Sequence, residues 1–245
     1  MRRVFLVVAV LGIVFPPVLP APAGAAIVTR QDSAGRTITF DVPRDMNVNR
    51  YASVLRRALH GDEIESVTIG FVGRATLVRF CGGGSLSCYR PGWRDEGEIF
   101  LPVRGVDSVS ALLHEYAHHF DASYGLTGSR RWQPAAERWW AARRIEARIQ
   151  NGQTWDYELG WQRSIGEIFA EDYVQLHARP RYGIPWLPAP NRAVLTALRR
   201  DIQAARRDRP GLAALRIRAA PLALTPDSGR LSHLRHESPL TPIGV

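Results

Sequence analysis

The 245-residue chain carries 32 basic and 23 acidic side chains, a formal charge of +9, with 45% hydrophobic residues and two cysteines. Its length suits one domain with a sizeable core, plus short appendages. Every basic residue is an arginine, scattered singly or in local pairs such as Arg56–Arg57 and Arg199–Arg200; dispersed charge of this kind is a solvated surface, which argues against a specific nucleic-acid partner and leaves at most a loose association with an anionic cell surface.

Residues 1–26 begin with Arg2 and Arg3, continue through an apolar run from Val4 to Phe15, and end on small residues in which Ala23-Gly24-Ala25 resembles an A-x-A cleavage site. This three-part pattern predicts a secretory signal peptide. Its apolar run is shorter than the roughly 18–20 residues of a spanning helix, and no later uncharged stretch reaches that length, so the expectation is a secreted, extracytoplasmic protein with no membrane span after cleavage.

Next, Thr37–Val42 alternates like a half-buried strand, and Val48, Tyr51, Val54, Leu55 and Leu59 fall at helical spacing within Asp45–Leu59. The segments 66–72 and 75–80 are rich in β-branched and aromatic residues and are separated by Gly73-Arg74, which predicts a hairpin. Cys81 and Cys88 flank the flexible GGGSLS, a spacing that predicts a disulfide in an oxidising compartment. The segment 98–103, EIFLPV, reads as a strand that Pro102 confines to a sheet edge or end.

The remainder reads as helical. Asp107 or Ser108 can cap a helix through Phe120, Gly125 and Gly128 break the chain, and Pro134–Ile149 reads as one long helix bearing Trp139 and Trp140. Another helix spans Ser164–His177 and stops before Pro180, and Asn191 caps a last one to about Ala205. Residues 208–245 are rich in Pro and Arg and read as a disordered tail. The fold class is α+β: a small sheet in the first half, a helical second half, and one domain over 27–207.

Where the two halves meet, ALLHEYAHHFD places His114 and His118 four apart on one helical face, able to converge on one zinc ion at about 2.0–2.1 Å. In the pattern H-E-x-x-H, Glu115 is the general base for a metal-bound water. His119 projects about 100° away and is a surface or packing histidine. Asp121 is placed either to orient His118 or to finish the helix. The extended H-E-x-x-H-x-x-G-x-x-H pattern is excluded, because Asp121 and Tyr124 stand where it needs Gly and His. Catalytic zinc needs a third protein ligand. GEIFAEDY (166–173) offers it: Glu167 and Glu171 lie four apart, so that one can bind metal while the other hydrogen-bonds a ligating histidine.

The pair HEYAH and GEIFAED resembles the gluzincin group of zinc metallopeptidases, and EIFAEDY is similar in particular to the catalytic domain of anthrax lethal factor and its relatives. The resemblance covers roughly residues 98–177. It implies a zincin-like domain, zinc held by His114, His118 and Glu167, Glu171 as partner to a ligand, and a tyrosine shortly before Glu167 that stabilises the oxyanion. Tyr157 stands there, with Tyr173 as its rival and core packing open for both. The reading is a secreted zinc-dependent peptidase acting on a peptide or protein. Two alternatives stay open: an exported zinc-binding protein without proteolytic activity, and a basic polyanion-binding module.

Overall fold

A computed structural model describes residues 25–92, 96–104, 108–128, 134–155 and 157–208. The expected signal peptide lies outside these residues except for Ala25 and Ala26, and the expected tail except for Asp208. Among the described residues the fold is α+β, with a five-stranded mixed sheet and seven α-helices; no helix is long and apolar enough to cross a membrane.

The strands are β1 (Ala25–Gln31), β2 (Thr37–Pro43), β3 (Val67–Val72), β4 (Cys88–Pro91) and β5 (Gly97–Pro102), in the spatial order β1-β2-β3-β5-β4. The two inner pairings, β2 with β3 and β3 with β5, are parallel, and the outer strands β1 and β4 join antiparallel. Parallel neighbours need crossover segments. Helix α1 (Asn49–Arg57) bridges β2 to β3, and α2 (Arg74–Cys81) leads from β3 toward β4 and β5.

Three sequence expectations are corrected here. Residues 75–80 are helical rather than the second strand of a hairpin. Their β-branched, aromatic composition resembles a strand's, but the places on either side of β3 are taken by β2 and β5, and only Leu77 of the segment is buried in the core. Second, of the two places left open by Pro102, the sheet edge does not hold, because β5 is an inner strand, while the strand end does. The edge is β4, whose Cys88 pairs with Phe100 and whose Pro91 pairs with Gly97, while Pro102 ends β5 beside Val72. Third, the long helix expected over 134–149 is two: α4 (Glu137–Arg143) and α5 (Ile145–Gln150), separated by Arg144 in the left-handed region at φ 55°.

Register puts Phe40, Ile69, Ile99 and Tyr89 in one row across the sheet. That face is covered by α1 and by α3 (Ser108–Tyr124), whose His119 ring lies 5.5 Å from Tyr89. On the opposite face Phe80 of α2 stacks on Phe100 at 4.8 Å. Helix α6 (Ile165–His177) packs along α3 through Tyr173, which lies near Tyr116 and Phe120. Helix α7 (Arg192–Asp208), its first turn capped by Asn191 Oδ1 on the Val194 amide, packs on α4 and α6. The buried core is continuous from Ile38 on β2 to Ile202 on α7, so sheet and helices share one interior.

Candidate metal centre

Helix α3 is held from behind. Glu63, buried before β3, accepts hydrogen bonds from the Gly61 amide, from Tyr116 Oη at 2.5 Å and from Tyr124 Oη at 2.8 Å. Its backbone carbonyl accepts from His119 Nε2 at 2.9 Å. His119 is therefore a fully buried packing residue, fixed to the sheet side of the helix. These bonds set the rotation of α3, and the i, i+4 geometry then turns His114 and His118 toward α6.

There the two imidazoles meet Glu167. His114 Nε2 lies 3.2 Å from His118 Nε2 and 2.9 Å from Glu167 Oε2, and His118 Nε2 lies 3.4 Å from Glu167 Oε1. Tetrahedral zinc with metal–ligand bonds near 2.0–2.1 Å requires ligand–ligand edges of about 3.3 Å. The two carboxylate contacts are made by different Glu167 oxygens; with one ligand atom taken from each residue, His114, His118 and Glu167 lie within 4.8 Å of one another and could hold a metal ion. Two imidazoles and one carboxylate are also the donor chemistry of catalytic rather than closed structural zinc sites.

Electrostatics point the same way. Burial works against a protonated His114, but hydrogen bonds to Glu167 and Glu171 outweigh it and raise the ring to about 10. Burial likewise opposes a charged Glu167, yet the bonds from His114 and His118 hold its carboxyl far below the usual range. The cluster thus stabilises positive charge at the point where the three residues converge. A proton supplies that charge at one nitrogen; a divalent cation would supply it to all three donors at once.

Glu171 hydrogen-bonds His114 Nδ1 at 3.1 Å and itself accepts the Gly183 amide at 2.9 Å. Donation from Nδ1 to a carboxylate leaves Nε2 as the coordinating nitrogen. Residue 183 must be glycine for this approach, because a Cβ there would lie 2.9 Å from the Glu171 carboxylate. Tyr157, 60% exposed, reaches in with its hydroxyl to donate to Glu167 Oε1 at 2.6 Å. Burial and the Glu167 charge push its phenol pKa well up, so it remains a donor. Tyr173 is fully buried and bonds the Leu59 carbonyl at 2.7 Å, a packing role away from the cluster.

Glu115 is buried beside His114 and accepts a 2.6 Å hydrogen bond from Ser87 Oγ. Asp121 does not bond His118, which corrects the orienting role open to it. Both its oxygens are taken by Thr127, from the amide at 2.7 Å and the hydroxyl at 2.6 Å, so it closes the turn after α3. Cys81 and Cys88 form a disulfide with an S–S length of 2.03 Å. Ser87 and Gly183 escaped the sequence reading. Both sit in loops with no periodic pattern, and nothing in their neighbours' identity points to the helix they meet in space.

Comparison of the chain with protein-family models, with curated proteins and with solved structures finds no match.

Proposed function

We propose that the protein is an exported zinc metallopeptidase, gluzincin-like in its site. The observation that carries this reading is the convergence of one ligand atom each from His114, His118 and Glu167, within 4.8 Å of one another, beside a buried glutamate one residue from a ligand. The disulfide agrees with an oxidising compartment, and the signal-like N-terminus with export.

His114 and His118 through Nε2, and Glu167 through its carboxylate, would hold the ion. When bound, zinc supplies Lewis-acid polarisation of a scissile carbonyl and acidification of water to a pKa near 7. Glu115 accepts the proton of the attacking water and returns it to the leaving nitrogen. Tyr157 already points a hydroxyl into the cluster and donates to the negative charge that develops on the carbonyl oxygen. Among the described residues β4 is the last strand of the sheet on its side, next to Ser87, and a sheet edge is where an extended peptide can add as a further strand.

The test is metal analysis combined with Glu115→Gln. The wild type is expected to bind one zinc and cleave a peptide library. E115Q should keep the zinc and lose activity by about 10²–10⁴-fold. Zinc binding with no cleavage by the wild type would instead favour a zinc-holding protein without peptidase activity.

A further inference from the structure

We propose that Ser87 is a positioning residue for Glu115, delivered to it by the loop that the Cys81–Cys88 disulfide closes. This rests on the peptidase reading, in which Glu115 carries the proton. Among the described residues the Glu115 side chain has a single hydrogen-bond partner, Ser87 Oγ, on Oε1. Glu115 is 6% exposed, so little solvent is at hand to replace that bond. Its second oxygen is left for the water proton. A carboxylate anchored at one oxygen can take up and release a proton at the other without turning away from the histidine beside it, because Oε1 remains an acceptor for Ser87 in both states.

Ser87 is brought to this place by the tethers on the loop that carries it. It belongs to no helix and stands immediately before β4. Gly82 and Gly84 adopt φ of 85° and 93°, so the preceding segment is free to take many paths unless its ends are tied. Three ties are present. The disulfide joins the end of α2 to the start of β4; Ser85 Oγ donates to the Cys81 carbonyl at 2.7 Å; and Arg74 donates to the Ser85 carbonyl at 2.6 Å. Beyond the loop, Cys88 pairs with Phe100 on β5, the strand against which α3 also packs. Ser87 and Glu115 are therefore both referenced to β5, one through the edge strand and one through the helix.

The experiment compares Ser87→Ala, Ser87→Thr and the double variant C81S/C88S in the zinc-loaded full chain. S87A should lower kcat about tenfold or more, the worth of one hydrogen bond to a charged group, with KM and zinc content unchanged. S87T, which keeps the hydroxyl, should recover most of the rate, and C81S/C88S should lower kcat with the hydroxyl still in place. A wild-type kcat in S87A, a loss carried by KM, or a threonine variant no better than alanine overturns the proposal. Should the wild type cleave no peptide, the peptidase reading fails on its own account. The contact is then judged in zinc-free protein by a thermal double-mutant cycle of S87A with Glu115→Ala, where coupled midpoints support it and additive ones overturn it.

Discussion

Helix α6 carries two carboxylate clusters that differ in what their partners can give up. Asp172, fully buried, accepts from Arg143 Nε at 2.6 Å and from Arg143 Nη2, from Trp139 Nε1 at 2.8 Å and from Tyr182 Oη at 3.0 Å. The guanidinium keeps its charge at any attainable pH, and every partner donates to the carboxylate in a fixed direction. Glu167, five residues nearer the N-terminus of the helix, meets two imidazoles and one phenol, and its side chain stays 10% exposed. Imidazoles can surrender protons and present lone pairs. A permanent cation makes the first cluster a closed brace between α4 and α6, whereas labile protons leave the second able to exchange them for an ion.

That contrast breaks most sharply under truncation. Glu167→Ala should abolish stoichiometric zinc binding and lower peptide hydrolysis by about 10³-fold or more, since one of three ligands is gone. Denaturation in excess chelator should show a smaller loss in E167A than in D172A, because His114 can shed its proton and keeps Glu171 once Glu167 is gone. Asp172→Ala should do the reverse, costing about 3–5 kcal/mol of stability with or without chelator, because Arg143 is left buried without its counter-charge. Loss of zinc-independent stability in E167A equal to that in D172A would erase the distinction.

Glu171→Gln sharpens it on a smaller scale. The carboxylate touches no metal-facing nitrogen; it steadies His114 from behind. Zinc affinity measured by chelator competition should fall about 10–100-fold, the usual cost of losing a ligand's outer partner. An unchanged affinity would mean that the His114 ring is oriented by packing alone.

The chemistry of this site was far more legible in the sequence than the frame that presents it. His114, Glu115, His118, Glu167 and Glu171 are spaced by the helical repeat, so that each helix carries its own part of the pattern, and only the meeting of α3 with α6 required three dimensions. The frame depends on long-range pairing. Residues 75–80 have strand-like composition, yet a parallel β3–β5 pair needs a crossover and the segment serves it as α2. The edge strand β4 has four residues, too few to show alternation. Arg144 breaks a helix with neither glycine nor proline beside it, and no local signal marks the bend. Of the two roles open to Asp121 the structure takes the helix-end one, since Thr127 satisfies both oxygens, a partner that spacing along α3 does not reveal.

The far end of α6 supplies a third station, at which a titrating group has no counter-charge, and the smallest effect is expected there. The His177 ring packs 4.6 Å from Tyr173, and its Nε2 accepts the Leu59 amide at 3.3 Å, so the neutral ring is the form the fold uses. Burial, joined by the positive charges of Arg199 and His60, lowers it to about 4. Unfolded, the same ring titrates near 6.5. Between these values the unfolded chain holds more protons than the folded one, so stability rises with pH across the interval. The contribution is complete above about pH 6.5 and is lost as pH falls toward 4. With partial exposure discounted, about 1–2 kcal/mol should disappear between pH 7 and 4.5. His177→Gln keeps an acceptor for Leu59 and does not titrate. Urea unfolding of both proteins at the two pH values should show the wild type losing that increment over the variant. Parallel losses would mean that acid acts elsewhere, with the two carboxylate clusters as the next groups to examine.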